Sequence, residues 1–137
     1  MATTMQVNIV SAEGEIFSGT ADMVVAPAKL GEVGVAPGHT PMITQLNPGE
    51  VRVQAEGQEE QHIFVSGGML EVQPKVLTVL ADTAIRASDL DEAAAIEAKQ
   101  RAEEALADRQ ESMDYARAQS ELAEAIAQLQ MIRRMKR

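Results

Sequence analysis

With 137 residues, the chain has room for one ordinary domain, or for a small domain with an appendage. A formal net charge of −9 excludes nonspecific binding to nucleic acid or docking on an anionic lipid surface, since both need a basic face. The absence of cysteine excludes a disulfide framework and thiolate metal sites, and leans toward the cytosol.

The first residues, Met1-Ala-Thr-Thr-Met-Gln, lack the basic flank and apolar run of a signal peptide. No stretch reaches the length of a membrane span, so any membrane link is expected to come through a partner. Aromatic residues make up 2% of the chain, which leaves Val, Ile, Leu, Met and Ala to build the core. Met5, Val7 and Ile9 alternate with Thr4, Gln6 and Asn8, the pattern of a strand with one buried and one wet face. Val51, Val53 and Ala55 alternate with Arg52, Gln54 and Glu56 in the same way. Leu77-Thr78-Val79-Leu80 is apolar on both faces and reads as an inner strand. Asn47-Pro48-Gly49 suits a type II turn, with Gly49 taking φ > 0. Gly57, Ser66-Gly67-Gly68 and Gln73-Pro74 mark further reversals. Many short strands at close spacing predict an antiparallel β-sandwich or flattened barrel.

All nine Gly and all five Pro lie before Arg86, and the chain beyond is rich in Ala, Glu, Gln and Arg. The boundary is placed at Ile85-Arg86-Ala87-Ser88, giving a β domain over 1–86 and a helical region over 87–137. Ser88 or Asp89 is expected to cap a first helix, with Asp91 and Glu92 suiting its positive end. Its apolar stripe is Leu90, Ala94, Ala98, Ala102 and Leu106, with Glu97 and Arg101 as an i,i+4 pair. After the polar stretch Asp108–Asp114, Ser112 can cap a second helix. That helix has the stripe Ala118, Leu122, Ala125, Ile126, Leu129 and Ile132. Two stripes suggest an antiparallel hairpin. A single long helix is the alternative, because the break holds neither Gly nor Pro. The fold class is thus α+β, a β-sandwich followed by a two-helix hairpin.

An alanine stripe lets helices approach closely but buries little, while Ala, Leu, Glu, Gln and Arg favour the helix itself. Strong helices on a weak seam suit a two-state element, with a static hairpin as the other reading. The chain ends Ile132-Arg133-Arg134-Met135-Lys136-Arg137, with no acid. These cations favour a helix C-terminus, and as a cluster they also suit an acidic protein surface.

Catalytic chemistry is sparse. His39 and His62 are the only histidines, and His62 sits in the alternating run Gln61–Val65 as a surface strand residue. There is no HExxH, no paired His at ligand spacing and no Gly-x-Ser-x-Gly elbow. The Gly-rich segment Gly31–Thr40 lacks the Gly-Lys-Ser/Thr of a P-loop and is better explained by turn geometry. Stiffened by Pro37 and Gly38 and carrying Glu32 and His39, it reads as a polar docking loop. No catalytic residue, metal site or cofactor is assigned.

An ordered set of short segments carries a family resemblance: Val10-Ser11-Ala12-Glu13, Phe17-Ser18-Gly19, Gly31-Glu32-Val33-Gly34, Pro37-Gly38-His39-Thr40-Pro41, Val65-Ser66-Gly67-Gly68, Leu70-Glu71-Val72, Val79–Ala84, Leu90-Asp91-Glu92-Ala93 and Glu121–Leu129. Together they strongly resemble the epsilon subunits of F-type ATP synthases, over nearly the whole chain. The resemblance implies a non-catalytic rotor-stalk subunit, peripheral on the cytoplasmic face of the bacterial inner membrane and held there through the complex. It implies a gamma-subunit contact at His39 and a c-ring contact at Gly31, Glu32, Val33 and Gly34. It also implies a helical arm that extends into the alpha/beta catalytic head and restrains ATP hydrolysis, with Arg133, Arg134, Lys136 and Arg137 meeting acidic segments there. One departure stands out. Where many bacterial members place the arginine of a nucleotide motif beginning at Leu90-Asp91, this chain has Ala94. Asp91 is then an isolated remnant of that motif, and ATP binding is expected to be weak or absent. Two other readings remain open on residues alone. One is a free-standing β module with a coiled-coil arm for oligomerisation. The other is a small barrel enzyme using His39, which would need ligands that the sequence does not show.

Overall fold

The structure, a computed structural model, describes residues 3–107 and 112–136, without the side chains of 112–114. The chain divides after Ser88 into a β unit and a helical unit.

Ten strands build the β unit: β1 (Met5–Ser11), β2 (Gly14–Ala21), β3 (Met23–Ala28), β4 (Gly31–Val35), β5 (Met42–Leu46), β6 (Gly49–Gln54), β7 (Gln61–Val65), β8 (Gly68–Val72), β9 (Val76–Ala81) and β10 (Ala84–Arg86). They form one sheet in the order β10-β7-β6-β3-β5-β8-β9-β1-β2, with β4 on β3. β3 shares one edge between β6 and β5 and gives the other to β4. All pairs are antiparallel except β1 with β9, which is parallel. The Arg86 guanidinium donates to the Ile16 carbonyl at 2.6 Å and ties the two edge strands, so the sheet nearly closes on itself.

Inside lies one aliphatic core, including Met5, Val7, Ile9, Val24, Val51, Val53, Ile63, Val65, Leu70, Leu77 and Val79. The alternation read in β1 and β6 holds, because each strand has one face on this core. Two expectations change. Gly49 does not take positive φ, so Asn47-Pro48-Gly49 is not a type II turn. Glycine is needed there for closeness: a Cβ on it would lie 2.9 Å from Pro27 Cβ. In β9, Leu77 and Val79 are buried, but Leu80 on the other face is 51% exposed. The strand is internal by hydrogen bonding, yet its outer face is uncovered.

A 3₁₀ turn, Ala87–Asp89, leads to α1 (Glu92–Ala107) and α2 (Ser112–Met135). The two helices pack on one another as an antiparallel hairpin, with the start of α1 beside the end of α2. Asp91, rather than Ser88 or Asp89, caps α1: its carboxylate accepts from the amides of Ala93 and Ala94 at 3.0 and 3.2 Å. The expected stripe shifts as well. Ala95 and Ala102 are buried in α1, whereas Ala94 is exposed. A strict every-fourth spacing runs about 40° ahead at each step of a 3.6-residue helix, so the buried line must alternate threes and fours. In α2, Ala118, Ala125, Leu129 and Ile132 are buried as expected, Met131 joins them, and Ile126 is exposed. The i,i+4 ion pair among the described residues is Arg117–Glu121 at 3.2 Å, not Glu97–Arg101. Residues 108–111 and the side chain of Ser112, on which the expected cap depends, lie outside the described residues.

Candidate functional site

The outer face of the β unit presents the least expected feature. β5, β8 and β9 lie side by side, with Gln45 opposite Met69 and Met69 opposite Leu80. Side chains alternate along a strand, so Ile43, Met69 and Leu80 fall on the face away from the core, with Val76 at its end. Ile43 is 68% exposed, and Met69, Val76 and Leu80 are exposed with it. Glu71, Gln45 and Thr78 intersperse these apolar residues. No other described strand of the β unit covers this patch, and patches of this kind mark partner surfaces. The sequence signal was present in the doubly apolar run of β9, but it also fits a strand buried on both sides.

The segment expected as a docking loop is in large part a strand. Gly31, Glu32, Val33 and Gly34 form β4, joined to β3 by a tight turn at Lys29-Leu30. Leu30 is fully exposed at the tip, and Gly31 turns the chain at φ +134°. Arg52, on the outer face of β6, reaches Glu32 at 3.3 Å. Behind it Glu50 is buried, with Arg52 at 3.9 Å and His62 at 3.4 Å as ion-pair neighbours. The other ring nitrogen of His62 stands 3.4 Å from Glu60. His62 is thus a half-buried strand residue in a charge ladder.

His39 lies elsewhere. Gly38, at φ +86°, donates its amide to the Pro74 carbonyl at 2.8 Å, which ties this turn to the β8–β9 turn. The His39 Nδ1–H donates to the Thr40 carbonyl at 2.6 Å, leaving Nε2 as its remaining polar atom. In the registers, Met42 pairs with Val72 and Val72 with Leu77 at one end of the sheet, and Leu46 with Gly68 and Gly68 with Ala81 at the other. His39 precedes the first end, while the Lys29-Leu30 tip stands beside Ala28–Leu46 at the second. The structure therefore separates His39 from the Glu32 hairpin by the length of a strand, roughly 15 Å. His39 joins the end of the apolar face where Ile43 and Val76 begin.

In the helical unit, Asp91 is engaged by the backbone as a cap, and Ala94 faces solvent without a polar atom. A surface groove of about 320 Å³ runs between the helices, lined by Ala98, Arg101, Glu121, Glu124, Ala125 and Gln128. Its two carboxylates outnumber its single cation. Arg133 and Arg134 are exposed in the last turn of α2. Lys136 is already engaged: its ammonium pairs with the Glu92 carboxylate at the start of α1. That hydrogen bond, the charge of Lys136 and the more distant charge of Arg133 hold the Glu92 carboxyl below its ordinary 4.5. Arg137 lies outside the described residues. Among the described residues no group of three His, Asp or Glu could hold a metal ion, and no helix is long and apolar enough to cross a membrane.

The family model for the beta-sandwich domain of the ATP synthase delta/epsilon chain matches residues 4–87, and that for its long alpha-helix domain matches residues 88–133. The chain belongs to the ATP synthase delta/epsilon family. Curated members of this family are close to it throughout. The ATP synthase epsilon chain of Nitrosococcus oceani is 66% identical over 137 residues, covering 100% of this chain and 98% of that one. The epsilon chain 1 of Methylococcus capsulatus is 64% identical, covering 96% and 94%. Two solved structures share the fold at low identity. A chain of the Euglena gracilis mitochondrial ATP synthase superimposes with a TM-score of 0.80 at 19% identity, covering 90% of this chain and 78% of that one. A chain of the Tetrahymena thermophila mitochondrial ATP synthase central stalk and c-ring gives 0.63 at 11% identity, covering 95% and 97%. Membership in the delta/epsilon family makes the chain a non-catalytic stalk subunit of ATP synthase, as the sequence suggested.

Proposed function

We propose that the chain couples the catalytic head of a proton-translocating F-type ATP synthase to its c-ring, and that its helical arm restrains ATP hydrolysis. The observation that carries the coupling role is the uncovered apolar face of Ile43, Met69, Val76 and Leu80. It is the natural seat for gamma, with His39 at its end. The β3–β4 hairpin, with Leu30 at its tip and Gly31, Glu32, Val33 and Gly34 along β4, meets the c-ring from the other end of the sheet. Two separate contacts on one nearly closed β unit, the apolar face and the β3–β4 hairpin, let it transmit force between two partners. On this reading the chain sits peripherally on the cytoplasmic face of a bacterial inner membrane, held through the complex.

The arm acts by leaving its docked hairpin and entering the alpha/beta head, where Arg133, Arg134, Lys136 and Arg137 meet acidic segments. Buried alanines at the seam support this, because each gives up about 2 kcal/mol of burial relative to Leu. α1 has 16 residues and α2 has 24, both beyond the roughly 12–15 at which isolated helices become marginal. Nucleotide is not the trigger. Ala94 offers no cation, Asp91 is committed to the helix cap, and the groove beside Arg101 is net acidic.

Leu80→Glu and Ile43→Asp test the docking face. Both residues are exposed, so each variant should fold. Each should lose about tenfold or more in affinity for gamma, read by titration and by co-purification with the head, because a buried charge would lack a partner. Undiminished binding in both would place the gamma contact elsewhere.

A further inference from the structure

Lys136 has two uses that exclude one another. The arm, if it acts as proposed above, offers its basic end to an acidic surface of the catalytic head. In the closed hairpin the Lys136 ammonium is held by Glu92, 44 positions away in sequence. The pair joins the two ends of the hairpin away from its turn, since Glu92 opens α1 and Lys136 follows Met135, the last residue of α2. Arg133, one turn earlier on α2, adds a second attractive charge for Glu92. Between these ends the seam holds Ala95 and Ala102 of α1 and Ala118 and Ala125 of α2. Four of the buried seam residues are alanines, and the larger Leu129, Met131 and Ile132 are buried only in the last turns of α2, so the ion pair at the open end adds to modest apolar packing.

We infer that the Glu92–Lys136 ion pair is a latch: it favours the closed hairpin and masks a terminal cation of the arm, so that release of the arm and exposure of its contact group are one event. The latch rests on the reading of the arm as a moving part. It sets how often the arm is released, and it is electrostatic, so salt weakens it. Its two residues are also unequal. Removing Glu92 opens the hairpin and frees Lys136 for the head. Removing Lys136 opens the hairpin but takes away part of the contact.

The chain has no cysteine, so Ala94→Cys and Met135→Cys, both at exposed positions, accept a nitroxide pair cleanly when the full-length subunit is labelled before it is assembled into the complex. Distances between the labels report closed and separated helices. Glu92→Gln and Lys136→Gln should each raise the separated fraction about two- to fivefold, the range expected for an exposed pair. The swap Glu92→Lys with Lys136→Glu should return it toward the wild-type value. Glu92→Gln should deepen inhibition of ATP hydrolysis, and Lys136→Gln should not. If the helices separate in the wild type and equally in both single variants, the latch is wrong and the moving arm stands. If they never separate in any of these chains, latch and moving arm both fall. Relief of inhibition by Glu92→Gln would also overturn the latch.

Discussion

Gly68 shows how one residue sets the outer apolar face. It pairs with Ala81 at φ +134°, and a Cβ there would stand 2.1 Å from the Leu80 carbonyl oxygen and 2.9 Å from the Ala81 Cα. The obstacle is backbone, so it has no rotamer with which to move away. Gly68→Ala should cost about 3 kcal/mol or more, seen as a lower urea midpoint at unchanged slope. The strands it pins are those that present Met69 and Leu80. Glu92 gives a second prediction at this scale. Its carboxyl is held below 4.5 by Lys136 and, further off, by Arg133. A depressed carboxylate contributes stability above its unfolded value and loses it as pH falls through the folded one. Closure of the hairpin should therefore be flat at neutral pH and weaken only below 4.5. Other carboxylates titrate in that range, so the readout is the difference between wild type and Glu92→Gln in label distance across the helix ends. Identical acid profiles would show that the pair contributes nothing.

At the scale of the element, what was legible followed from single-sided burial. Met5, Val7 and Ile9 announced β1 because one face meets the core and the other meets water. β9 misled for the converse reason. An apolar residue reads the same whether its face is covered within the chain or exposed, and Leu80 is exposed. Gly49 misled because sequence shows that a glycine is present and not why. Its reason is Pro27 on another strand. In the arm, alanine stood on several faces of α1, so periodicity could not choose Ala95 over Ala94, and packing against α2 does. The cap followed the same logic. Ser88, Asp89 and Asp91 are all good capping residues, and the 3₁₀ turn at Ala87–Asp89 passes the role to Asp91. Of the residues implied by the family resemblance, Gly31, Glu32, Val33 and Gly34 were read as a loop and lie on β4, while the occupation of Lys136 by Glu92 spans the whole arm and left no local signature. With Asp91 engaged and Ala94 unable to donate, calorimetric titration of the isolated chain with ATP to millimolar concentration should give no saturable heat. A clear binding isotherm would show that Arg101 and its neighbours suffice for a nucleotide.

At the scale of the molecule, the division after Ser88 separates two kinds of stability. The β unit has a continuous aliphatic core and a nearly closed sheet, which suits it to the coupling role proposed above. The helical unit has long helices on an alanine seam, suited to change state without losing its secondary structure. On the proposed reading, coupling and restraint fall to separate parts of one chain, and they should be separable by experiment. The most direct measurement is ATP hydrolysis by a complex assembled with the chain ended at Ser88. The shortened chain should still co-purify with gamma and the alpha/beta head, and hydrolysis should rise severalfold over that of the full-length complex. Hydrolysis equal to wild type, with assembly intact, would contradict a restraining arm and leave the helices as a passive appendage of the stalk.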